Sequence, residues 1–184
     1  PFDYPDRYMA AMGSVPEIGR YVDILASGFQ GGYEGLTARV MDTEPVAEPI
    51  GAASRIKRVV RLISAGDHAG LVEEFGVDRL PRRVFEFVIF RLKLLLLGPG
   101  FGEMPIRRVV LVGGPAENRP LVQLVASILN VDIDLGPGSF AAAMGAAYIA
   151  ARHDKRGSSV TNRLTAVNRV SPEKPVADHY RKLF

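Results

Sequence analysis

Val109-Val110-Leu111-Val112-Gly113-Gly114-Pro115-Ala116-Glu117-Asn118-Arg119-Pro120-Leu121 is where this sequence comes nearest to chemistry. An apolar strand ends in two glycines, and a helix starts a few residues later. Glycine has no Cβ, so a ligand can approach the backbone closely there. The helix start beyond it offers free N–H groups and the positive end of the helix dipole, a combination that suits a phosphate. Asn118 is placed to cap that helix, with Arg119 and Pro120 in its first turn. Its amide equally suits a purine edge. The plainer reading is that the glycines only tighten a turn and Asn118 only caps.

A second stretch, Gly136-Pro137-Gly138-Ser139-Phe140 followed by Ala-Ala-Ala-Met-Gly-Ala-Ala-Tyr-Ile-Ala-Ala to Ala151, predicts a turn and then a helix over about 140–152 capped by Ser139. Its side chains are so small that another backbone or a flat ligand could lie against it. By itself it reads as a tightly packed core helix.

The elements that must position these two stretches follow from periodicity. A first helix is expected from Pro16 to about Gly28, with Ser14 as its cap and Ile18, Tyr21, Val22 and Leu25 on one face. Gly31 to Gly35 reads as a turn and Leu36 to Met41 as a weak strand. Residues 42–52 read as a loop. Ser54 to Ser64 is an amphipathic helix, with Ile56, Val59, Val60 and Ile63 opposite Arg55, Lys57, Arg58 and Arg61. Asp67 caps a short helix that Gly76 closes. A long helix runs from about Leu80 to Leu97 and is apolar over most of its circumference. The loop Gly98 to Gly102 leads to a strand over Arg108 to Val112, apolar enough for a sheet covered on both faces. A helix follows to about Leu129, then a second strand over Val131 to Leu135. Asp132 and Asp134 on that strand read as a solvated strand end. From Asp154 the chain reads as irregular until a last helical turn within Val176 to Leu183.

Composition narrows the field. The chain has 184 residues, 47% hydrophobic and 23% charged, which fits one globular domain. With no cysteine, a disulfide scaffold, a thiolate metal site and a cysteine nucleophile are all excluded. His68, His153 and His179 follow no zinc spacing. A net charge of +3 and no aromatics among the basic residues of 54–64 point to a solvated helix face, not to a nucleic-acid partner. No apolar run reaches the ~20 residues of a membrane span, and no export signal stands at the start, so the expectation is a cytoplasmic protein without a membrane partner. The start at Pro1 reads as a piece of a longer protein.

Taken together, the strand-Gly-Gly-x-Ala-x-Asn-helix, the following strand and the Ala-Ala-Met-Gly-Ala-Ala-Tyr-Ile-Ala-Ala helix resemble the C-terminal nucleotide domain of the FGGY carbohydrate kinases, xylulokinase-like members above all. The resemblance covers about residues 80–152, with Arg82 to Leu92 matching the long helix before the strand and Val176 to Phe184 a Tyr-x-x-Leu tail. Residues 1–79 carry no alignment. The resemblance implies an α/β, helix-rich, actin-like (ribonuclease H-like) ATPase domain with a small sheet flanked by helices. It makes Gly113, Gly114, Ala116 and Asn118 the candidate ATP contacts. It implies Mg-ATP as phosphoryl donor, a sugar as acceptor (a xylulose-like ketose first), and an N-terminal sugar-binding domain of the same protein as partner; it also admits a homodimer.

Two departures stand out. Pro115 replaces the usual third glycine and removes an N–H donor, and no Gly-Thr dipeptide of the phosphate hairpin occurs anywhere. The catalytic aspartate belongs to the other half, so no catalytic residue is assigned here and the chain alone is expected to be inactive. The alternatives are a non-catalytic actin-like interaction module and a chaperone-type ATPase domain, which shares the Val-Gly-Gly turn and the Ala-x-Gly-Ala-Ala helix. Asn118 and Tyr148 favour the kinases.

Overall fold

The computed structural model describes residues 18–47, 53–97, 109–136, 138–153 and 168–183. The expected cap Ser14, the start at Pro16, the loop Gly98 to Gly102 and the side chain of Tyr148 lie outside the described residues. Helix α1 (Ile18–Ser27) buries Tyr21 and Leu25, one turn apart. Helix α2 (Tyr33–Asp42) stands where a weak strand was expected. The alternation there was shallow, whereas Leu36 and Val40 are spaced i, i+4 and both are buried. Burying that pair against α1 and the long helix α5 (Leu80–Leu97) decides the conformation.

Helices α3 (Ala53–Ala65) and α4 (His68–Phe75) form as the sequence predicts. Asp67 accepts a hydrogen bond from the Gly70 N–H, and Gly76 ends α4. Part of the basic face of α3 turns to acids of α4, with Arg55 on Glu74 and Arg58 near Glu73 and Glu74. Such surface pairs contribute little each.

Strand β1 (Val109–Leu111) runs parallel to β2 (Ile133–Leu135), with helix α6 (Arg119–Leu129) as the crossover. Val109, Val110 and Leu111 face Ile133, Asp134 and Leu135 in register. Strand β3 (Asn168–Val170) then adds antiparallel to β2, giving the order β1-β2-β3. β3 falls where irregular chain was expected, because three residues give no alternation to read. It changes the fate of Asp134. That side chain is 4% exposed and receives both Nε and a second guanidinium nitrogen of Arg169, at 2.7 and 3.2 Å. It is a paired strut between strands, not a solvated end; Asp132 stays half-exposed.

Among the described residues the sheet is covered on one face: α6 lies against β3, with α5 and the last helix, α8 (Lys174–Lys182), packed on α6. Val110 on β1 is 45% exposed. α8 packs against α6 and carries Tyr180 into the core. There Glu86, fully buried on α5, accepts hydrogen bonds from Arg82 (3.0 Å), Tyr180 (2.6 Å), the Val46 N–H (3.1 Å) and Arg83 (2.8 Å). Arg82 also donates to the Val40 carbonyl and to the Tyr180 oxygen. Burial first, then the Glu86 carboxylate, hold the Tyr180 phenol above its ordinary range, so it stays a donor. Four segments are tied together by side chains that would be costly to bury alone.

Candidate nucleotide site

β1 passes through Val112 into Gly113, whose φ of 83° lies in the region that favours glycine. A 3₁₀ turn over Gly114–Glu117 follows, with Pro115 second, and holds itself by the Ala116 N–H on the Gly113 carbonyl (3.0 Å). Proline costs this turn nothing at its first positions, where no intraturn N–H bond is due. A Cβ built on Gly114 would meet nothing within 4 Å. Among the described residues no side chain explains the glycine there; the position faces open space. Ala116 is buried beneath the turn.

Asn118 caps α6: its Oδ1 accepts from the Leu121 N–H at 3.0 Å. Its Nδ2 donates to the Thr37 hydroxyl on α2 at 2.7 Å, and that hydroxyl donates to the Tyr33 carbonyl one turn back. The link to Thr37 is one the sequence could not announce, since 81 residues separate the partners.

The second glycine-containing turn meets the first. The Gly136 N–H donates to the Leu111 carbonyl at 2.9 Å, and a Cβ at Gly136 would lie 2.6 Å from a Val112 methyl. The Glu117 carboxylate accepts from the Ser139 N–H at 2.8 Å and lies where a Cβ on Gly138 would stand. Ser139, through its backbone N–H first and its hydroxyl second, holds the Glu117 carboxyl below the usual carboxylate range. Both turns therefore lie beyond the carboxyl ends of two parallel strands, where open α/β sheets bind ligands.

Helix α7 (Ala141–His153) starts from that second turn. It is not the packed core helix its composition suggests. Ala142, Ala143, Ala146, Ala147 and Ala150 are exposed, Phe140 and Ile149 are 73% and 66% exposed, and a Cβ at Gly145 would meet nothing. With Val112, 48% exposed at the end of β1, this side of the domain is lined by small or uncovered groups. Gly113, Gly114, Ala116 and Asn118 thus sit in one continuous turn, with Gly114 open and Asn118 engaged on both its amide atoms. Among the described residues, no group of three or more acids or histidines could hold a metal ion, and no helix is long and apolar enough to cross a membrane.

Comparison with known proteins places these features in a family. The model of the FGGY family of carbohydrate kinases, C-terminal domain, matches residues 51–153, more than half of the chain. The matched stretch begins upstream of residue 80, at the start of α3, and takes in β1, the 3₁₀ turn, α6, β2 and α7. No curated protein and no solved structure matches the chain.

Proposed function

From the premise that this chain belongs to the FGGY family of carbohydrate kinases as its C-terminal domain, we propose that it is the adenine-nucleotide half of a sugar kinase. The observation that carries this reading is the open position at Gly114, in a turn beyond a parallel strand and directly before a capped helix N-terminus. In this reading Gly113 and Gly114 let the nucleotide approach the backbone, Ala116 underlies the turn, and Asn118 fixes the turn to α6. The domain is of the actin-like, ribonuclease H-like kind. The γ-phosphoryl of ATP passes to a hydroxyl of a xylulose-like ketose in the cytoplasm. Mg²⁺ arrives on the nucleotide phosphates and takes few protein ligands.

The same reading gives the chain no catalytic base, so the sugar and the base come from an N-terminal domain of the same protein. Catalysis then rests on positioning and charge stabilisation across two domains. The test is ADP release over a panel of ketoses. The chain alone is expected to release none above background, and the chain joined to its upstream domain to do so with one ketose. Ketose-dependent turnover by the chain alone, or none by the longer protein, would contradict the proposal.

One second reading has an observation in its favour. Pro115 has no N–H to offer, and Glu117 already occupies the Ser139 N–H where an anion would sit. A non-catalytic interaction module would show both features and would bind no nucleotide.

A further inference from the structure

Helix α2 precedes the family-matched stretch, yet it is built into the edge of the candidate site. Two contacts fix its alignment with α6. Thr37 lies level with Asn118, the N-cap of α6, through the 2.7 Å hydrogen bond. Further along, Met41 and Thr43 line the same cavity as Gln123 and Ser127 of α6. The two helices therefore run side by side in the same direction. One turn before Thr37, about 6 Å back along α2, stands Tyr33. The four residues that precede Asn118 are the 3₁₀ turn Gly114–Glu117. Tyr33 and that turn are thus each only a few residues from the Thr37–Asn118 bond.

Tyr33 shares the Thr37 face of α2, since i and i+4 side chains lie one above the other. Its side chain leans towards the helix start, past the end of α6. It is 51% exposed, a large aromatic surface left uncovered. Gly114, four residues before Asn118, presents bare backbone to open space.

We propose that Tyr33 is the purine platform of the nucleotide site: its ring stacks on the adenine, whose other side faces the Gly113-Gly114 backbone, while Thr37 holds Asn118 and with it the turn in place. This assignment rests on the nucleotide reading above and adds to it a residue outside the matched family domain.

The chain contains no tryptophan, so Tyr33→Trp introduces a single reporter. Mg-ADP is expected to quench it and Mg-pyrophosphate, which has no base, is not. Base-on-aromatic stacking is worth about a tenfold change in affinity on truncation, so Tyr33→Ala should weaken Mg-ADP about tenfold while Tyr33→Phe binds like the unsubstituted chain. Circular dichroism checks that each variant is folded. Mg-ADP binding insensitive to Tyr33→Ala would overturn the assignment alone and leave the site standing. No Mg-ADP binding by the folded, unsubstituted chain would overturn the assignment together with the nucleotide reading.

Discussion

Two regions among the described residues are built on opposite principles. Around α5, α6 and α8, large groups are matched: Tyr180, Arg82 and Glu86 are buried and bonded to one another, and Phe90 meets the Tyr180 ring edge-on at 5.8 Å. Along the end of β1 and α7, the chain withholds side chains. Gly114 and Gly145 face open space, α7 exposes a run of alanines, and Val110, Val112, Phe140 and Ile149 stay uncovered. Covering apolar surface stabilises by roughly 25 cal/mol per Å², so the first region holds the fold and the second contributes little to it.

Substitutions should separate the two regions. The largest effect is expected for Glu86→Ala. It strands a buried Arg82 without its carboxylate and removes the acceptor of Tyr180, which should cost about 3–5 kcal/mol in urea unfolding. A loss below about 1 kcal/mol would mean the network is not part of what holds the core. Gly136→Ala should come next. Its Cβ would press on the Val112 methyl at 2.6 Å, and overpacking of this kind costs about 1–3 kcal/mol. Gly114→Ala, with nothing to meet, should leave the unfolding midpoint in place. Equal midpoints for the two glycine variants would undo the contrast drawn between the turns.

Asn118→Ala removes the α6 cap and the bridge to Thr37, a loss of about 1 kcal/mol or somewhat more. In the open region, Ile149→Ser should shift stability by no more than about 0.5 kcal/mol. A large loss there would show that α7 packs in solution.

The smallest effect concerns pH. The Glu117 carboxyl is held below its ordinary value of 4.5 in the folded chain, so the folded state favours the charged form. Its stabilising contribution is present above that ordinary value and is lost as pH falls through the lowered one. The group is exposed, and the effect is small. Glu117→Gln should flatten this part of the acid limb of an unfolding curve while leaving neutral stability nearly unchanged. An acid limb identical in the two proteins would remove Glu117 from the link between the two turns.

What could be read from the sequence was what local pattern encodes. The apolar run of β1, the Gly-Gly stop, Asn118 before Arg119-Pro120 and the circumferentially apolar α5 all announce their roles within a dozen residues. Leu36 to Met41 misled because Leu36 and Val40 fit either a loose alternation or one helical turn, and only the packing of α2 on α5 chooses. β3 and the burial of Asp134 were hidden, since Arg169 stands 35 positions from its partner. Tyr180 read only as part of a last helical turn. Its partners Glu86 and Arg82 lie 94 and 98 residues away, and no window contains them together. The Gly113-Gly114 turn and the Asn118 cap could be read from local sequence; the openness at Gly114 and the contact of α2 with Asn118 could not, because both depend on neighbours brought in from other parts of the chain.

The central claim is that the 3₁₀ turn after β1 receives an adenine nucleotide. Isothermal calorimetry of Mg-ADP with the unsubstituted chain and with Gly114→Val tests it most directly. The valine adds bulk to a position that meets no protein atom within 4 Å as far as Cβ. The account predicts saturable binding to the unsubstituted chain, and at least tenfold weaker binding to a Gly114→Val variant whose unfolding midpoint is unchanged. Equal affinity for both proteins, or no heat of binding to the folded chain at millimolar nucleotide, would contradict it.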